Sequence, residues 1–429
     1  MDVQLTEKQY NAFKSMKNGS NVFLTGPAGC GKSYLLKYFI QWYKNEKEDN
    51  TSQIFITSTT GLSALLIDGM TINRYSGIGT GDKDIDIYIQ KIIKMKSLRD
   101  RWKNTGVLII DEISMMNPDI FDKLEIIAKK IRSNDTPFGG IQIIVSGDFL
   151  QLPPVKCNSF CFDSFSWDFV IDKTFYFDKI IRQDDVVLQN ILNDVRIGVI
   201  NENVINCLNK CLNKDLNLPN GILPTLLFSK KNMVIDHNSK ELNKLIDKGE
   251  MYYTYQCSYD FGKVREEHKT FFKELLDSQY QVDDIITYCI NSQVMLTVNM
   301  PESNLANGSI GKIIDFVGLG SLPYPVVQFL NGVLIVIKHH EYIIDESDNI
   351  VKKLQIPLIL SWAITIHKAQ GMSLDYVKTD IGNSIFEYGQ AYVVLSRIKN
   401  IEGLSLININ YGSIKAHPKV LEYYAKLSY

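Results

Sequence analysis

A glycine-rich loop near the start of the chain has the residue types and spacing to bind a phosphate chain. Residues 26–33 lie between an apolar run at 21–25 and a helix-like stretch at 33–40. The backbone N–H groups of such a loop wrap a triphosphate, and the helix N-terminus adds a partial positive charge. Lys32 is spaced to reach the outer phosphates and Ser33 to ligate Mg²⁺. The predicted nucleotide-binding residues are Gly26, Pro27, Ala28, Gly29, Cys30, Gly31, Lys32 and Ser33.

An acid pair supplies the second chemical signal. Asp111 and Glu112 end the apolar run at residues 107–110. Asp111 is placed to hold Mg²⁺ through water, and Glu112 to orient or deprotonate a water that attacks the γ-phosphate. A solvated loop is the alternative, but with the glycine loop the pair favours an NTPase. Gln151, before two prolines, either senses the γ-phosphate or simply lies in a Pro-bounded loop.

These residues need a scaffold that brings strand ends together. Apolar, β-branched runs at residues 22–25, 53–58, 107–110 and 141–146 alternate with helical stretches. Continuous apolar strands are typical of a sheet that is buried on both faces, and the helices between them indicate right-handed crossovers. We therefore predict a doubly wound parallel α/β sheet, with the chemistry at the carboxyl ends of its strands.

The pattern changes further along the chain. Short β-like pieces occupy residues 255–350, with hairpin signals at Asn307-Gly308 and Asn331-Gly332. The α/β pattern resumes near Gln355. We expect a first α/β domain at 1–175 with a small excursion near 71–95. The expected remainder is a second α/β domain at 176–254 and 351–429, interrupted by a β-rich insertion at 255–350.

Composition excludes some classes of protein. The net charge is −2, so a nucleic-acid groove would have to come from local basic patches. The seven cysteines form no CxxC pair, which favours free thiols in a reducing compartment over a zinc site. We find no targeting signal and no apolar run near the ~18 residues of a membrane span. We therefore expect a soluble, intracellular protein without a membrane partner.

Taken together, these stretches resemble the Pif1-type helicases of superfamily 1B, and more distantly the RecD and Dda-type enzymes. The resemblance runs from near residue 5 to near residue 405, in the order of the family. It implies two RecA-like domains, a small wedge and an inserted SH3-like β domain. The matching stretches are residues 23–33, 57–64, 111–115, 147–155, 182–183, 307–311, 356–372 and 389–397.

The resemblance also implies roles around the nucleotide. Gln9 is similar to the glutamine that reads adenine, although residues 6–9 also form a helix capping box. Arg182 and Arg397 resemble the two arginines that approach the γ-phosphate from the second α/β domain. Gln370 and Gly371 fall on the nucleotide side. The implied cofactors are ATP and Mg²⁺, with the metal held by Ser33 and Asp111.

Further positions resemble the DNA contacts of the family. They are Thr57, Thr59, Thr60, Asn73, Thr365, His367 and Lys368. A helix N-cap is the alternative for the threonines at 57–60, and packing is the alternative for the histidine. The chain departs from the family in having Cys30 where threonine is usual and Asn73 where histidine is frequent.

The function implied by the resemblance is a 5′→3′ DNA helicase that acts on single-stranded and forked duplex DNA in genome maintenance. We expect a monomer, with dimerisation on DNA as an alternative. A 3′→5′ helicase of superfamily 1A and a P-loop NTPase switch that does not act on DNA stay open as alternatives. The β-rich insertion disfavours the first, and the stretches at 365–371 and 389–397 disfavour the second.

Overall fold

A computed structural model describes residues 5–46, 53–155, 157–183, 185–216, 218–280, 282–318, 322–346, 349–382 and 384–427. The α-helices are α1 (Glu7–Lys17), α2 (Lys32–Glu46), α3 (Gly61–Leu66), α4 (Ile72–Ser76), α5 (Ile85–Lys94), α6 (Lys96–Asn104), α7 (Pro118–Arg132), α8 (Trp167–Val170), α9 (Val186–Arg196), α10 (Glu202–Lys210), α11 (Lys231–Asp247), α12 (Glu266–Tyr280), α13 (Ile366–Ala369), α14 (Gln390–Leu395) and α15 (Pro418–Lys426). Among these described residues, no helix is both long and apolar enough to cross a bilayer.

The strands are β1 (Val22–Thr25), β2 (Gln53–Ser58), β3 (Met70–Thr71), β4 (Thr105–Asp111), β5 (Gln142–Gly147), β6 (Lys173–Tyr176), β7 (Thr225–Phe228), β8 (Tyr252–Gln256), β9 (Ser258–Asp260), β10 (Ile285–Cys289), β11 (Gln293–Leu296), β12 (Ile310–Val317), β13 (Tyr324–Phe329), β14 (Leu334–Val336), β15 (His340–Glu346), β16 (Asn349–Gln355), β17 (Leu358–Leu360), β18 (Ala363–Thr365), β19 (Val377–Ile381) and β20 (Leu404–Ile409). They form one six-stranded, one five-stranded, one four-stranded, one three-stranded and one two-stranded sheet.

A six-stranded parallel sheet organises the first of two compact units. Its order is β3-β2-β4-β5-β1-β6. Strand β1 is buried along its whole length, as is nearly all of β4, because helices cover both faces of the sheet. One face packs on the aromatic residues Trp102, Phe121 and Phe138, and the other on Leu36 and Phe39. The predicted doubly wound α/β fold is therefore confirmed for this unit.

Strand register brings the chemically important loops to one edge of this sheet. Thr25, at the end of β1, pairs with Gly147 at the end of β5. Asp111, at the end of β4, pairs with Ser58 at the end of β2. The glycine loop, the acid pair and the Gln151 loop all leave from these carboxyl ends, which is where open α/β sheets bind ligands.

The second unit combines a parallel sheet with antiparallel ones. Strands β18-β7-β19-β20 form a four-stranded parallel sheet. Strands β14-β13-β12-β11-β17 form a five-stranded antiparallel sheet, and β15-β16-β9 and β10-β8 form two smaller ones. The predicted hairpin turn at Asn331-Gly332 joins β13 to β14, and Gly308 N donates to Leu296 O at 2.9 Å in the turn between β11 and β12. The predicted fold class, with RecA-like parallel sheets and an added β region, is confirmed.

Contacts divide the chain differently from the predicted domain boundary after residue 175. The first unit comprises Met1–Val199, Glu387–Tyr392 and Lys415–Tyr429. The second comprises Ile200–Phe386 and Val393–Ile414. Helix α15 joins the first unit because Val420 and Tyr424 are buried in its core.

A buried ion pair explains why α9 belongs to the first unit. Arg196 donates to both carboxylate oxygens of Asp148, each bond 2.9 Å long. Burial alone would raise the pKa of Asp148, but the charge and hydrogen bonds of Arg196 outweigh burial and hold that pKa below its usual value. The Tyr424 hydroxyl lies 3.2 Å from Asp148 Oδ1, 3.1 Å from Phe149 N and 2.7 Å from Thr25 Oγ1.

Removing Arg196 should strongly destabilise the first unit. Arg196→Ala leaves the Asp148 carboxylate buried without its cation, and we expect it to lower the free energy of unfolding by about 3–5 kcal/mol at pH 7. Lys8→Ala, which breaks the exposed pair of Lys8 with Asp178, should cost at most about 1 kcal/mol. Urea unfolding of both variants measures the difference, and equal losses would contradict the stabilising role of the buried pair.

The pH dependence of that pair has a definite sign. Because the folded-state pKa of Asp148 is lowered, its contribution is complete above the unfolded value of about 4. The contribution disappears as the pH falls through the folded pKa and the carboxylate takes up a proton. The difference in the free energy of unfolding between wild type and Arg196→Ala should therefore become smaller at acidic pH.

Candidate nucleotide site

The glycine loop joins β1 to α2 in a conformation that requires glycine. Gly29 and Gly31 have φ angles of 80° and 88°, which L side chains rarely adopt. A Cβ on Gly31 would lie 2.6 Å from Gln9 Nε2, and a Cβ on Gly29 would lie 2.6 Å from Arg182 Cβ. The loop is thus packed between α1 and the segment after β6, at the N-terminus of α2.

Lys32 closes this loop upon itself. Its Nζ donates to the carbonyl oxygens of Gly26 at 2.8 Å and Pro27 at 3.0 Å, and lies 3.6 Å from Cys30 Sγ. These are neutral, modest acceptors for an ammonium group that has three donors. Phosphate oxygens at the same place would give shorter, charge-assisted bonds.

Ser33 and Asp111 are brought together beside the loop. Ser33 Oγ lies 3.4 Å from Asp111 Oδ2. Burial raises the pKa of Asp111, although the hydrogen bond from the Glu112 N–H, the charge of Lys32 and the Ser33 hydroxyl oppose that rise. A hydroxyl and a carboxylate oxygen are the donors that Mg²⁺ prefers, usually alongside waters and substrate phosphates. Over the ranges that the structure describes, no group of three or more His, Cys, Asp or Glu residues could hold a metal by itself.

Glu112 adopts a strained backbone conformation at the strand end. Its φ is 54°, in the left-handed region that non-glycine residues seldom occupy. Its N–H donates to Asp111 Oδ1 at 3.0 Å, and its carbonyl accepts from Thr59 Oγ1 at 3.0 Å. Strain of this kind persists only where surrounding contacts hold it, and it is concentrated at functional sites.

Gln9 forms the capping box, which is one of the two roles that were weighed for it. The capping box is confirmed, since Thr6 N donates to Gln9 Oε1 at 3.0 Å and Gln9 N donates to Thr6 Oγ1 at 3.3 Å. The same amide reaches the glycine loop, with Nε2 donating to Cys30 O at 3.3 Å. One amide hydrogen and one lone pair are left over by these bonds, which is the pair of groups that an adenine edge needs. The adenine role stays a prediction.

Gln151 is buried beside the loops with an unsatisfied oxygen. The residue is 5% exposed. Its Oε1 atom has no hydrogen-bond partner within the part of the chain that the structure describes. Buried polar atoms without a partner are rare in folded proteins and call for an explanation such as a missing water or ligand.

Arg182 lies on the glycine loop and belongs to the first unit, whereas the resemblance implied that it comes from the second domain. Its backbone N and that of Ile181 donate to Gly29 O at 3.1 and 2.8 Å, which fixes the segment against the loop. Burial lowers the pKa of the Arg182 guanidinium, while Tyr392, Glu112 and Cys30 act in the opposite direction. Arg182 therefore lies in a different unit from the one that was predicted, but it still lies near the acid pair.

Two of the predicted DNA contacts in the first unit have internal partners. Thr57 is fully buried in β2, and its hydroxyl donates to Ile109 O at 2.6 Å, so a direct contact with DNA is wrong for this side chain. Thr59 is partly exposed but holds the Glu112 carbonyl. It therefore links the end of β2 to the acid pair.

Thr60 and Asn73 differ in their surroundings. Thr60 caps α3 by accepting from Ser63 N at 3.2 Å, which is the alternative that the sequence left open for it. Asn73 lies on α4 with an exposed side chain. Of these two, Asn73 is the one whose side chain is open to a partner.

The remaining predicted contacts lie in the second unit. Thr365 ends β18 and caps α13 by accepting from Lys368 N at 3.1 Å. His367 and Lys368 are partly exposed on this short helix. Gln370 is buried at the helix end, and Gly371 follows with a φ of 81°.

The charge on Lys368 is held in an unfavourable setting. Burial lowers the pKa of its ammonium group, and the nearby charge of Lys231 lowers it further, against an opposing effect of Asp283. A phosphate placed beside this group would favour the charged form.

Arg397 is buried in the second unit and firmly oriented. It is 2% exposed. Its Nε donates to Val393 O at 3.0 Å, and its Nη2 donates to Ser396 Oγ at 2.7 Å. A guanidinium has five donors in a fixed planar fork, so these bonds hold it in one orientation.

Sequence reasoning missed one residue beside the loop. Tyr392 is 2% exposed, and its hydroxyl accepts a hydrogen bond from Ala28 N at 2.8 Å. The residue lies inside the stretch 389–397 that carried the resemblance, but the sequence does not indicate which group its hydroxyl contacts. Only the fold brings residues 28 and 392 together.

Comparisons with known proteins agree with this geometry. The family model for PIF1-like helicases matches residues 4–202. The chain is 33% identical to the ATP-dependent DNA helicase RRM3 of Saccharomyces cerevisiae over 96% of its length, and 36% identical to the ATP-dependent DNA helicase PIF1 of Xenopus laevis over 99%. It spans 66% and 65% of the length of those two curated relatives.

A solved structure extends the likeness to the whole fold. The crystal structure of the Pif1 helicase from Candida albicans is 34% identical and superposes with a TM-score of 0.82. The match covers 99% of this chain and 100% of that one. Sequence and fold therefore point to the same group of proteins.

Proposed function

Since this chain belongs to the PIF1-like helicase family, we propose that it is an ATP-dependent DNA helicase, which uses ATP hydrolysis to move along single-stranded DNA and separate duplexes. The observation that carries the proposal is the arrangement at one sheet edge, where the glycine loop closed by Lys32 lies beside the Ser33–Asp111 pair. A loop of backbone donors, a lysine and an acid with a hydroxyl are the parts that phosphoryl transfer from ATP requires.

Binding of the triphosphate would change the partners of the loop. The ammonium group of Lys32 exchanges the carbonyls of Gly26 and Pro27 for the outer phosphate oxygens, which gives stronger bonds. Mg²⁺ held by Ser33 Oγ and, through water, by Asp111 would neutralise phosphate charge and help orient the γ-phosphate. The spare donor and acceptor of Gln9 suit the adenine edge.

Hydrolysis then depends on the groups around the γ-phosphate. Glu112 orients the attacking water and accepts its proton, as the acid after a strand does in related chemistry. The unsatisfied Oε1 of Gln151 can accept a hydrogen bond from that water, which accounts for its burial without a partner. In this proposal, Arg182 and Arg397 take up the charge that develops on the transferred phosphoryl oxygens.

DNA would be held by polar side chains that are exposed or partly exposed. Asn73 is exposed on α4, and Thr365, His367 and Lys368 lie on or next to α13. Contacts of this kind to the sugar–phosphate backbone tolerate any sequence and weaken with salt. We propose that residues 71–95, which hold α4 and α5, act as the wedge and that the antiparallel sheets of the β-rich insertion clamp the strand.

Direction and biological role follow from the family. We propose 5′→3′ movement on the strand and a role in genome maintenance, where replication, repair, recombination and telomere maintenance are typical of Pif1-type enzymes. The substrates would be single-stranded DNA and forked duplexes. The names of the relatives support a DNA-acting ATPase more directly than any one of these processes.

The experiment that tests this proposal is ATP turnover with and without single-stranded DNA. We expect turnover to rise severalfold when oligo(dT) is added, and the stimulation to weaken as the salt concentration rises because each phosphate contact releases counterions. If the rate of ATP turnover is the same with and without DNA at every salt concentration, that result would contradict a helicase and favour a nucleotide switch.

A further inference from the structure

Tyr392 makes a direct contact with the glycine loop. Its hydroxyl accepts from Ala28 N at 2.8 Å, and both residues are buried, Ala28 at 4% and Tyr392 at 2% exposure. A buried N–H that loses its acceptor is destabilising, so this bond helps to hold the loop in place. It fixes the first half of the loop, four positions before Lys32, where α2 starts.

The segment at residues 387–392, which contains Tyr392, also packs closely against the loop that carries Gln151. Gly389 has a φ of 70°, and a Cβ there would lie 2.4 Å from Leu150 O and 2.5 Å from Gln151 O. Contact that close between backbones is possible only for glycine. Residues 387–392 are therefore fixed against two loops, the one that would wrap the phosphates and the one that carries the unsatisfied Gln151 oxygen.

The surroundings of Tyr392 are those of the reacting end of the nucleotide. Its phenol, Glu112 and Cys30 all act on the Arg182 guanidinium, in each case raising a pKa that burial lowers. These three side chains therefore lie around the same guanidinium, and the hydroxyl of Tyr392 also contacts the loop at Ala28 N.

We propose that Tyr392 is a positioning residue for ATP hydrolysis, which fixes the Ala28 half of the glycine loop against the Gln151 loop through the Glu387–Tyr392 segment. This inference rests on the proposed ATPase function. Tyr392 does not bind the nucleotide in this scheme; it sets the distance between the two loops that flank the γ-phosphate.

The expected effect is on the chemical step more than on binding. The α- and β-phosphates are cradled by the later part of the loop, with Lys32 and the start of α2. The Ala28 half and Gln151 matter when the γ-phosphate is transferred, and a misplacement of about 1 Å in such a geometry costs on the order of 10²-fold in rate. Loss of one hydroxyl, with the ring kept, should produce a smaller displacement than that.

The test is Tyr392→Phe, with Tyr388→Phe as the matched control. Tyr388 lies in the same segment, but its ring packs on His417 and beneath Lys415 instead of reaching the glycine loop. We expect Tyr392→Phe to lower kcat about tenfold while the Kd for ADP changes less than about threefold. Tyr388→Phe should match wild type in both quantities.

Each outcome has one meaning. A kcat for Tyr392→Phe within twofold of wild type would overturn the proposal, and so would a loss of ADP affinity as large as the loss of kcat, since that would mean a role in binding or folding alone. Tight ADP binding by the variant shows that the site is folded. If wild type itself shows no ATP turnover with DNA present, the proposed function fails, and that failure is separate from the role of Tyr392.

Discussion

Arg397→Ala should lower the rate of ATP hydrolysis by about 10³–10⁵-fold, the range seen where an arginine that stabilises a transferring phosphoryl group is removed. The affinity for ATP should fall far less, because such an arginine acts mainly on charge that develops in the transition state. The bonds from Arg397 to Val393 O and Ser396 Oγ keep its guanidinium oriented, so little ordering remains to be done when the phosphate arrives.

Two further variants sharpen this prediction. Arg397→Lys keeps the charge but not the planar fork, so it should restore only part of the rate. Lys399→Ala removes a neighbouring cation that pairs with Asp375 on the surface, and it should leave turnover unchanged. Equal losses of kcat and of ATP affinity in Arg397→Ala would contradict a role in the chemical step.

Lys32→Ala should abolish measurable ATP turnover, a loss of at least about 10³-fold, since one preorganised donor to a developing charge is already worth about 10²–10³. The change removes an ammonium group with three donors from the mouth of the glycine loop. It also frees the carbonyls of Gly26 and Pro27, which weakens the closed form of the loop. Steady-state kinetics with DNA in excess measures the effect.

The control for Lys32 lies on the same helix. Lys37 is an exposed residue of α2, so Lys37→Ala changes the charge by the same amount without touching the loop. It should keep wild-type turnover. Near-normal hydrolysis by Lys32→Ala would mean that the loop does not bind the triphosphate as proposed.

The local parts of the site could be predicted from sequence because their physics is local. The continuous apolar run of β1, the capping box of Thr6 with Gln9 and the glycine spacing each depend on neighbours in the chain. The structure places these elements as predicted. Hairpin signals such as Asn331-Gly332 were read correctly for the same reason.

Side-chain partners far apart in sequence could not be predicted. The sequence around Arg182 does not indicate whether this residue belongs to the first or the second unit. Only the structure shows that its backbone N donates to Gly29 O in the first unit. Thr57 was predicted to face DNA, but register buries its hydroxyl against Ile109 O. Tyr392 contacts Ala28 although more than 360 positions separate them in the sequence, and no local sequence pattern predicts such a contact.

The first compact unit extends to Val199, beyond the predicted boundary after residue 175, for a related reason. Strand β6 closes the sheet and looks like the end of a domain in the sequence pattern. Two later helices nevertheless pack on the same unit. Arg196 of α9 neutralises the buried Asp148, and the hydroxyl of Tyr424 in α15 bonds to the same carboxylate. An ion pair and a hydroxyl, both hidden in the core, set the extent of the unit.

The most direct measurement is the unwinding of forked duplexes that carry a single-stranded tail on one strand only. The proposed helicase should separate duplexes with a 5′ tail when ATP and Mg²⁺ are present, and it should leave those with only a 3′ tail intact. Lys32→Ala should separate neither. Unwinding from the 3′ tail alone, or no unwinding by wild type on either substrate, would contradict a 5′→3′ DNA helicase.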